Sequence, residues 1–145
     1  MKEIILDTCV IIDIFEKTRP RHEKAKKVSD WIIENNVSLV LPITSRFEID
    51  RTLVNIQQQN GILHMQDGIT KERPHIIKEY NVDVGFFQKY FDPSLPYIKA
   101  GDYILMAMAK KDKLPLITED TTLYNKSKEA GVEVFTEEEF LQNIA

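Results

Sequence analysis

Two short apolar runs in this chain end at or next to an acidic residue, and each is followed by a helical pattern. Ile4–Leu6 stops at Asp7, and Leu114–Thr118 stops two residues before Asp120. Their length and β-branched content are typical of strands buried on both faces. Ligands of open α/β sheets bind beyond the carboxyl ends of the strands. We therefore predict that Asp7 and Asp120 share one sheet edge, although Asp7 or Thr8 could instead serve only as a helix cap.

Strand and helix patterns alternate along most of the chain. Apolar runs at Ser38–Leu41 and Val132–Phe135 predict two more strands, and stretches with helical spacing lie between the strands. This alternation predicts a mainly parallel sheet with helices on both faces. The chain has 145 residues, 43% of them hydrophobic, so we expect a single domain over residues 1–145 with one substantial core.

Two further acids are expected to reach the same sheet edge. Glu48 lies on a helix that follows the Ser38–Leu41 strand, and Asp102 starts an alanine- and methionine-rich helix that leads into the Leu114–Thr118 strand. An ordinary solvated acid is the alternative interpretation of Glu48. The apolar spacing of its helix also predicts that Phe47 faces the core.

The segment from Asn60 to Pro96 is the hardest to interpret. Its spacing predicts a weak helix over Ile69–Tyr80, interrupted at Pro74, and another over Val84–Phe91. The segment and the residue after it are rich in aromatic side chains. These are Phe86, Phe87, Tyr90, Phe91 and Tyr97. We expect them to be buried, and a substrate groove or a dimer face is the alternative.

Four carboxylates at one edge would repel one another unless a cation lay between them. A site of oxygen ligands, without histidine or thiolate, suits magnesium or manganese better than zinc or copper. One or two such ions polarise a phosphoryl oxygen and lower the pKa of a bound water, which is the chemistry of phosphodiester hydrolysis. The acids therefore predict a metal-dependent hydrolase.

The most basic stretch runs from Lys17 to Lys27 and holds six basic residues against one acid. It is either a solvated helix face or a surface on which Lys24, Lys26 and Lys27 hold phosphates. The net charge of the chain is -4, so any nucleic acid must be bound by a local patch of this kind.

The cellular setting is suggested by the first apolar stretch. It contains the only cysteine, Cys9, which fits a reducing compartment. It also contains Asp7 and Asp13 and has no small-residue cleavage site, so it does not resemble a secretory signal or a membrane span. We expect a cytoplasmic location.

Four ordered motifs together resemble the PIN-domain ribonucleases, and in particular the single-domain VapC-type toxins of toxin-antitoxin modules. IILDTCVIID resembles the opening strand motif of that family, and PITSRFEI resembles its second acidic motif. AGDYILMAMAKK and LPLITEDTTLY resemble the third and fourth motifs. The resemblance covers nearly the whole chain except the segment from Asn60 to Pro96.

The resemblance implies a three-layer α/β/α sandwich with a central, mainly parallel sheet. It also implies Mg²⁺- or Mn²⁺-dependent cleavage of RNA, a homodimer, and often a cognate antitoxin protein. The family's catalytic, metal-binding acids correspond to Asp7, Glu48, Asp102 and Asp120. Thr118 is expected to orient those acids, and so is Thr8, which follows Asp7. Many members have Asn or Ser two places after the first acid, where this chain has Cys9.

Other classes fit the sequence less well. A phosphatase of the haloacid dehalogenase type needs a second acid where Cys9 stands, and a nicotinamide enzyme needs a glycine-rich loop that is missing. A non-catalytic PIN-like module that binds RNA or protein is an alternative, as is a housekeeping RNA-processing nuclease. Retention of all four acids speaks against the non-catalytic module.

Overall fold

A computed structural model describes residues 1–60 and 73–144, with side chains described for 1–56 and 73–144. The described strands are β1 (Glu3–Leu6), β2 (Ser38–Pro42), β3 (Ile76–Tyr80), β4 (Leu116–Ile117) and β5 (Val134–Phe135). They form one sheet in the order β3-β2-β1-β4-β5, and every neighbouring pair is parallel. The predicted parallel sheet is therefore confirmed.

Helices cover both faces of this sheet. In the described ranges they are α1 (Thr8–Phe15), α2 (His22–Glu34), α3 (Ile43–Asn60), α4 (Val84–Tyr90), α5 (Ala100–Asp112), α6 (Thr121–Glu129) and α7 (Glu137–Ile144). None of these helices is long and apolar enough to cross a membrane.

Alternate side chains of β1 enter two separate apolar layers, because successive residues of a strand point to opposite faces. Ile4 and Leu6 pack with residues of α1, α2, α3 and α7. Ile5 packs with residues of α4, α5 and α6 on the other face. These two layers confirm the three-layer α/β/α sandwich.

The central position of β1 brings the two predicted strand-end acids together. β1 lies between β2 and β4, with Leu6 in register with Ile117. The Asp7 N–H donates to the Ile117 carbonyl over 2.9 Å, so the pairing continues past the end of β1. Asp7 therefore leaves the sheet beside Thr118, close to the start of α6.

The helix predicted over Ile69–Tyr80 is wrong in the part that the structure describes. Ile76–Tyr80 is β3, which pairs with β2 along its whole length, whereas residues 69–72 lie outside the described residues. Ile76 and Ile77 are β-branched, and the outer edge of β2 offers them backbone hydrogen-bond partners. Such pairing outweighs a weak helical pattern.

The expectation of burial fails for several aromatic side chains. Phe47 points away from the core and is 75% exposed, so its place in the predicted buried stripe is wrong. In the aromatic segment, Phe86 and Tyr90 are buried, while three rings are exposed. The exposed rings are those of Phe87, Phe91 and Tyr97.

A buried acid at the start of α7 makes the stability of the fold sensitive to pH. Glu137 has an exposed fraction of 0%, and its carboxylate oxygens have no hydrogen-bond partner among the described residues. Burial, together with the negative charges of Glu119 and Asp13, raises the pKa of Glu137 to about 7. The ionised form of this carboxyl is therefore disfavoured in the folded protein.

We predict that Glu137→Gln stabilises the protein above pH 7 and much less below pH 5. A carboxyl whose pKa is raised by folding stabilises fully below its unfolded pKa, and this contribution is lost as pH rises through the folded value. An uncharged glutamine avoids that loss, which we expect to be roughly 1–3 kcal/mol of unfolding free energy. Thermal melts at both pH values test this.

The exposed neighbour Glu138 offers a matched control on the same helix. Glu138→Gln should change the melting temperature little at either pH, because the side chain is mostly in water. Equal effects of the two substitutions would contradict the account of Glu137.

Candidate active site

Asp7 occupies the junction between β1 and α1 with both of its carboxylate oxygens held. Oδ1 accepts a hydrogen bond from the Thr8 backbone N–H over 2.7 Å, so Asp7 does cap α1. Oδ2 accepts one from the Thr118 hydroxyl over 2.8 Å. The side chain is buried. The capping and functional interpretations of Asp7 are therefore compatible, because capping fixes where the carboxylate lies.

Thr118 links the first acid to the last. Its fully buried hydroxyl donates to Asp7 and accepts from the Asp120 backbone N–H over 3.0 Å. Asp120 in turn caps α6, with Oδ1 accepting from the Leu123 N–H over 2.8 Å. One hydroxyl thus fixes the relative positions of two acidic residues that follow the neighbouring strands β1 and β4.

Asp102 lies in the first turn of α5, which begins at Ala100, two residues before the acid that was expected to start it. Burial raises the pKa of Asp102 to about 6, and the charges of Asp7 and Asp120 add to the effect. The Nζ of Lys99 is 3.6 Å from Asp102 Oδ2 and opposes it. The shift shows that Asp102 is close enough to Asp7 and Asp120 to interact with them.

Glu48 approaches the same place from α3. Its Oε2 accepts a hydrogen bond from the Thr8 hydroxyl over 2.9 Å, and its Oε1 would lie 3.5 Å from a Cβ placed on Gly101. Glu48 is therefore close to Thr8, which follows Asp7, and to Gly101, which precedes Asp102, although Glu48 itself is exposed. Thr8 directly follows Asp7, so its hydrogen bond holds Glu48 near Asp7. The Thr118 hydroxyl does the same for Asp120.

Cys9 supplies a weak donor at the place where the resembled family often has Asn or Ser. Its thiol donates to Asp7 Oδ2 over an S–O distance of 3.2 Å. Burial, and next the negative charge of Asp7, raises the pKa of this thiol, so it stays protonated. A hydrogen bond from this position to Asp7 is therefore present, with the Cys9 sulfur as its donor atom.

Lys99 is a neighbour of the site that sequence reasoning missed. The charge of Asp102, and also those of Asp120 and Glu48, raises the pKa of Lys99. All three acids therefore act on one exposed ammonium group. Its only signal in the sequence is its position three residues before Asp102, and that spacing alone has no diagnostic value.

The donor set fits a hydrated hard cation. In the part of the chain that the structure describes, no three His, Cys, Asp or Glu side chains form a compact, ready-made metal cluster. The charges of Asp7 and Asp120 act on Asp102, and Glu48 is joined to this group through the Thr8 hydroxyl. Magnesium keeps several waters and binds through one or two carboxylates plus substrate phosphates, so a compact cage is not required.

The basic residues proposed for RNA binding lie on the first turns of α2. Lys24 approaches Glu138 of α7 at 3.5 Å, and Lys26 borders a cleft together with Lys17, His22 and Arg73. Among the contacts of the described residues, none joins Lys24, Lys26 or Lys27 to the four acids.

The chain is thus an α/β sandwich with a parallel sheet. Its acids lie at the carboxyl edge of β1 and β4 and form a candidate site for hydrolysis. Residues 4–129 match the PIN domain family, and the chain belongs to that family. PIN domains are generally nucleases. Among curated proteins, no match is found.

Solved structures with similar folds include toxin-antitoxin complexes. VapBC2 from Rickettsia felis, bound to a DNA fragment from its promoter, has a TM-score of 0.62 and 12% identity, covering 92% of this chain and 98% of the other. FitAcB from Neisseria gonorrhoeae has a TM-score of 0.58 and 25% identity, covering 92% and 97%. A PilT N-terminus domain protein from the archaeon Sulfolobus solfataricus has a TM-score of 0.51 and 17% identity, covering 97% and 92%.

We predict that Thr118→Val destabilises the protein by about 1–3 kcal/mol, because the change leaves the part-buried Asp120 N–H without a hydrogen-bond partner and Asp7 Oδ2 with only the weak thiol donor of Cys9. Urea unfolding measures this free energy. Thr122→Val, at an exposed position of α6, is the matched control and should change it by less than about 0.5 kcal/mol. Similar losses in both variants would show that the hydroxyl bridge contributes nothing.

Proposed function

We propose that this chain is an endoribonuclease that hydrolyses RNA phosphodiester bonds with Mg²⁺ or Mn²⁺, using one or two ions. The observation that carries the proposal is the approach of Asp7, Glu48, Asp102 and Asp120 to one sheet edge, where threonine hydroxyls hold three of them. Each of the four comes from a different motif of the resembled family. A single domain over residues 1–145 is part of the proposal.

The four acids divide the work between them. Asp7, Asp102 and Asp120 hold the cation, and Glu48 helps to bind it or positions the attacking water. When bound, the ion supplies charge neutralisation and an activated water for attack on the phosphorus. Thr8 and Thr118 keep the carboxylates oriented, since their hydroxyls already occupy defined positions on these acids. Preorganised ligands of this kind need little rearrangement during reaction.

We also propose that the nuclease is the toxin of a type II toxin-antitoxin pair, works in the cytoplasm and forms a homodimer. Support comes from the resemblance to VapC-type toxins and from the neighbouring structures VapBC2 and FitAcB, which are toxin-antitoxin complexes. A cognate antitoxin protein would then be the partner. A housekeeping processing nuclease would share the site but have no antitoxin.

The direct test is cleavage of a labelled pool of tRNA, rRNA fragments and single-stranded RNA with Mn²⁺. We expect the wild type to cleave and Asp7→Asn to lose at least about a hundredfold in rate, since the change removes one charged ligand. Glu133→Gln, which alters an exposed acid away from the site, should keep full activity. EDTA should abolish cleavage.

The identically purified variants make the outcome interpretable. Cleavage by the wild type and Asp7→Asn alike would mean a contaminating nuclease or a wrong site. RNA binding without cleavage would favour the non-catalytic module.

The lysines of α2 are proposed to hold phosphates further along the RNA. Neutralising Lys24, Lys26 and Lys27 together with glutamine should weaken binding and reduce the slope of log affinity against log salt by about 2, the value for three phosphates of a single strand. Filter binding across a salt series measures both quantities. A double Lys126→Gln, Lys128→Gln variant on α6 is the control. An unchanged slope would assign the α2 lysines to a solvated helix face.

A further inference from the structure

An open aromatic groove lies beside the acidic site and has no role in the hydrolysis described so far. It has a volume of about 490 Å³ and is bordered by α4, α5 and the segment that joins them. Phe87, Phe91, Tyr97, Lys99 and Tyr103 are among its lining residues. Its size is within the usual range of small-ligand sites, roughly 300–1,000 Å³.

The aromatic rings of this groove are exposed, yet several are fixed in place. Tyr97 is 91% exposed, Phe87 58% and Phe91 50%. Phe91 stacks on Phe87 at 4.8 Å between ring centroids and on Tyr103 at 5.9 Å. The Tyr103 hydroxyl is anchored by hydrogen bonds with the backbone of Asp92. The stacked rings of Phe87, Phe91 and Tyr103 are therefore a preorganised aromatic surface beside the exposed ring of Tyr97, and exposing these rings to water is costly unless something binds there.

Lys99 makes this groove continuous with the acidic site. Lys99 lines the groove, and its ammonium lies 3.6 Å from Asp102, within the field of Asp120 and Glu48. A phosphate that reaches the acids from the side of the groove would therefore lie close to this positive charge. A flat, apolar group attached to that phosphate would lie in the groove.

This combination of cation and aromatic surface matches one kind of occupant, a nucleotide. Nucleobases stack on aromatic side chains while basic residues hold the phosphates, and stacking tolerates any base. An apolar peptide or an apolar face of a second copy would make no use of the Lys99 charge beyond its pairing with Asp102. A base inside a duplex cannot enter, because its faces are already stacked on its neighbours.

We propose that the groove is a binding site for one unpaired base of the cleaved strand, with Tyr97 as its stacking platform and Lys99 on the adjoining phosphate. The chain would then select RNA that is single-stranded at this position. This inference rests on the proposed function, because it assumes that the acids act on a nucleic-acid strand.

The test measures stacking and affinity in the Asp7→Asn background, which keeps the RNA intact. A short mixed-sequence RNA that contains a fluorescent aminopurine is titrated as a single strand and as a duplex. We expect single-strand binding to quench the fluorophore, and Tyr97→Ala to weaken binding about tenfold and abolish the quenching. Tyr97→Phe keeps a ring and should restore both signals. Phe47→Ala removes an exposed aromatic outside the groove and should change neither.

Three results would overturn the proposal. One is equal single-strand affinity of Tyr97→Ala and the parent, and another is equally tight binding of the duplex. The third is a fall in solution mass in Phe87→Ser with RNA binding unchanged, which would make the groove an interface between copies.

The cleavage assay separates this inference from the proposed function. A wild type that cleaves RNA, combined with Tyr97→Ala that cleaves single strands with the same kcat/KM, would remove the groove proposal alone. Base quenching in a protein that never cleaves RNA would support the groove and remove the nuclease.

Discussion

The hydroxyl of Thr118 joins the two strands on which the candidate site depends. It donates to Asp7 at the end of β1 and accepts from the Asp120 N–H after β4, in a place with no exposure to water. Carboxylates gathered at one sheet edge repel one another, and the charges of Asp7 and Asp120 add to the effect of burial in raising the pKa of Asp102. Hydroxyl and backbone donors keep the acids in place despite it. The cation that we propose for this site would relieve the same repulsion.

Asp7 and Asp120 were predictable from sequence because the evidence for them is local. Each follows a short apolar strand, and parallel connection brings the strand ends to one edge. Glu48 and Asp102 were not accessible in this way, since each lies on a helix where an acid has ordinary explanations. Their helices could bring them to the same edge, but only the order of four motifs that resemble one family favoured a functional role over an ordinary solvated acid. The structure then places Glu48 against Thr8 and Asp102 within the field of Asp7.

Features that depend on distant neighbours could not be read from the sequence. β3 exists because the edge of β2 offers it a pairing partner, and a local pattern contains no information about that edge. The rings of Phe87, Phe91 and Tyr97 are exposed, but a buried aromatic cluster would have the same amino-acid composition. Lys99 gained significance only when α5 was placed, because its contact with Asp102 occurs at the start of that helix.

The central claim is that the acids of the four motifs form a binding site for a divalent cation. Crystals grown with Mn²⁺ and measured near the manganese absorption edge would locate the ion directly by its anomalous scattering. The account predicts a peak coordinated by Asp7, Asp102 and Asp120, with waters completing the shell and Glu48 nearby, and no peak there in Asp102→Asn. No anomalous peak at this edge in the wild type, or a peak that persists in Asp102→Asn, would contradict it.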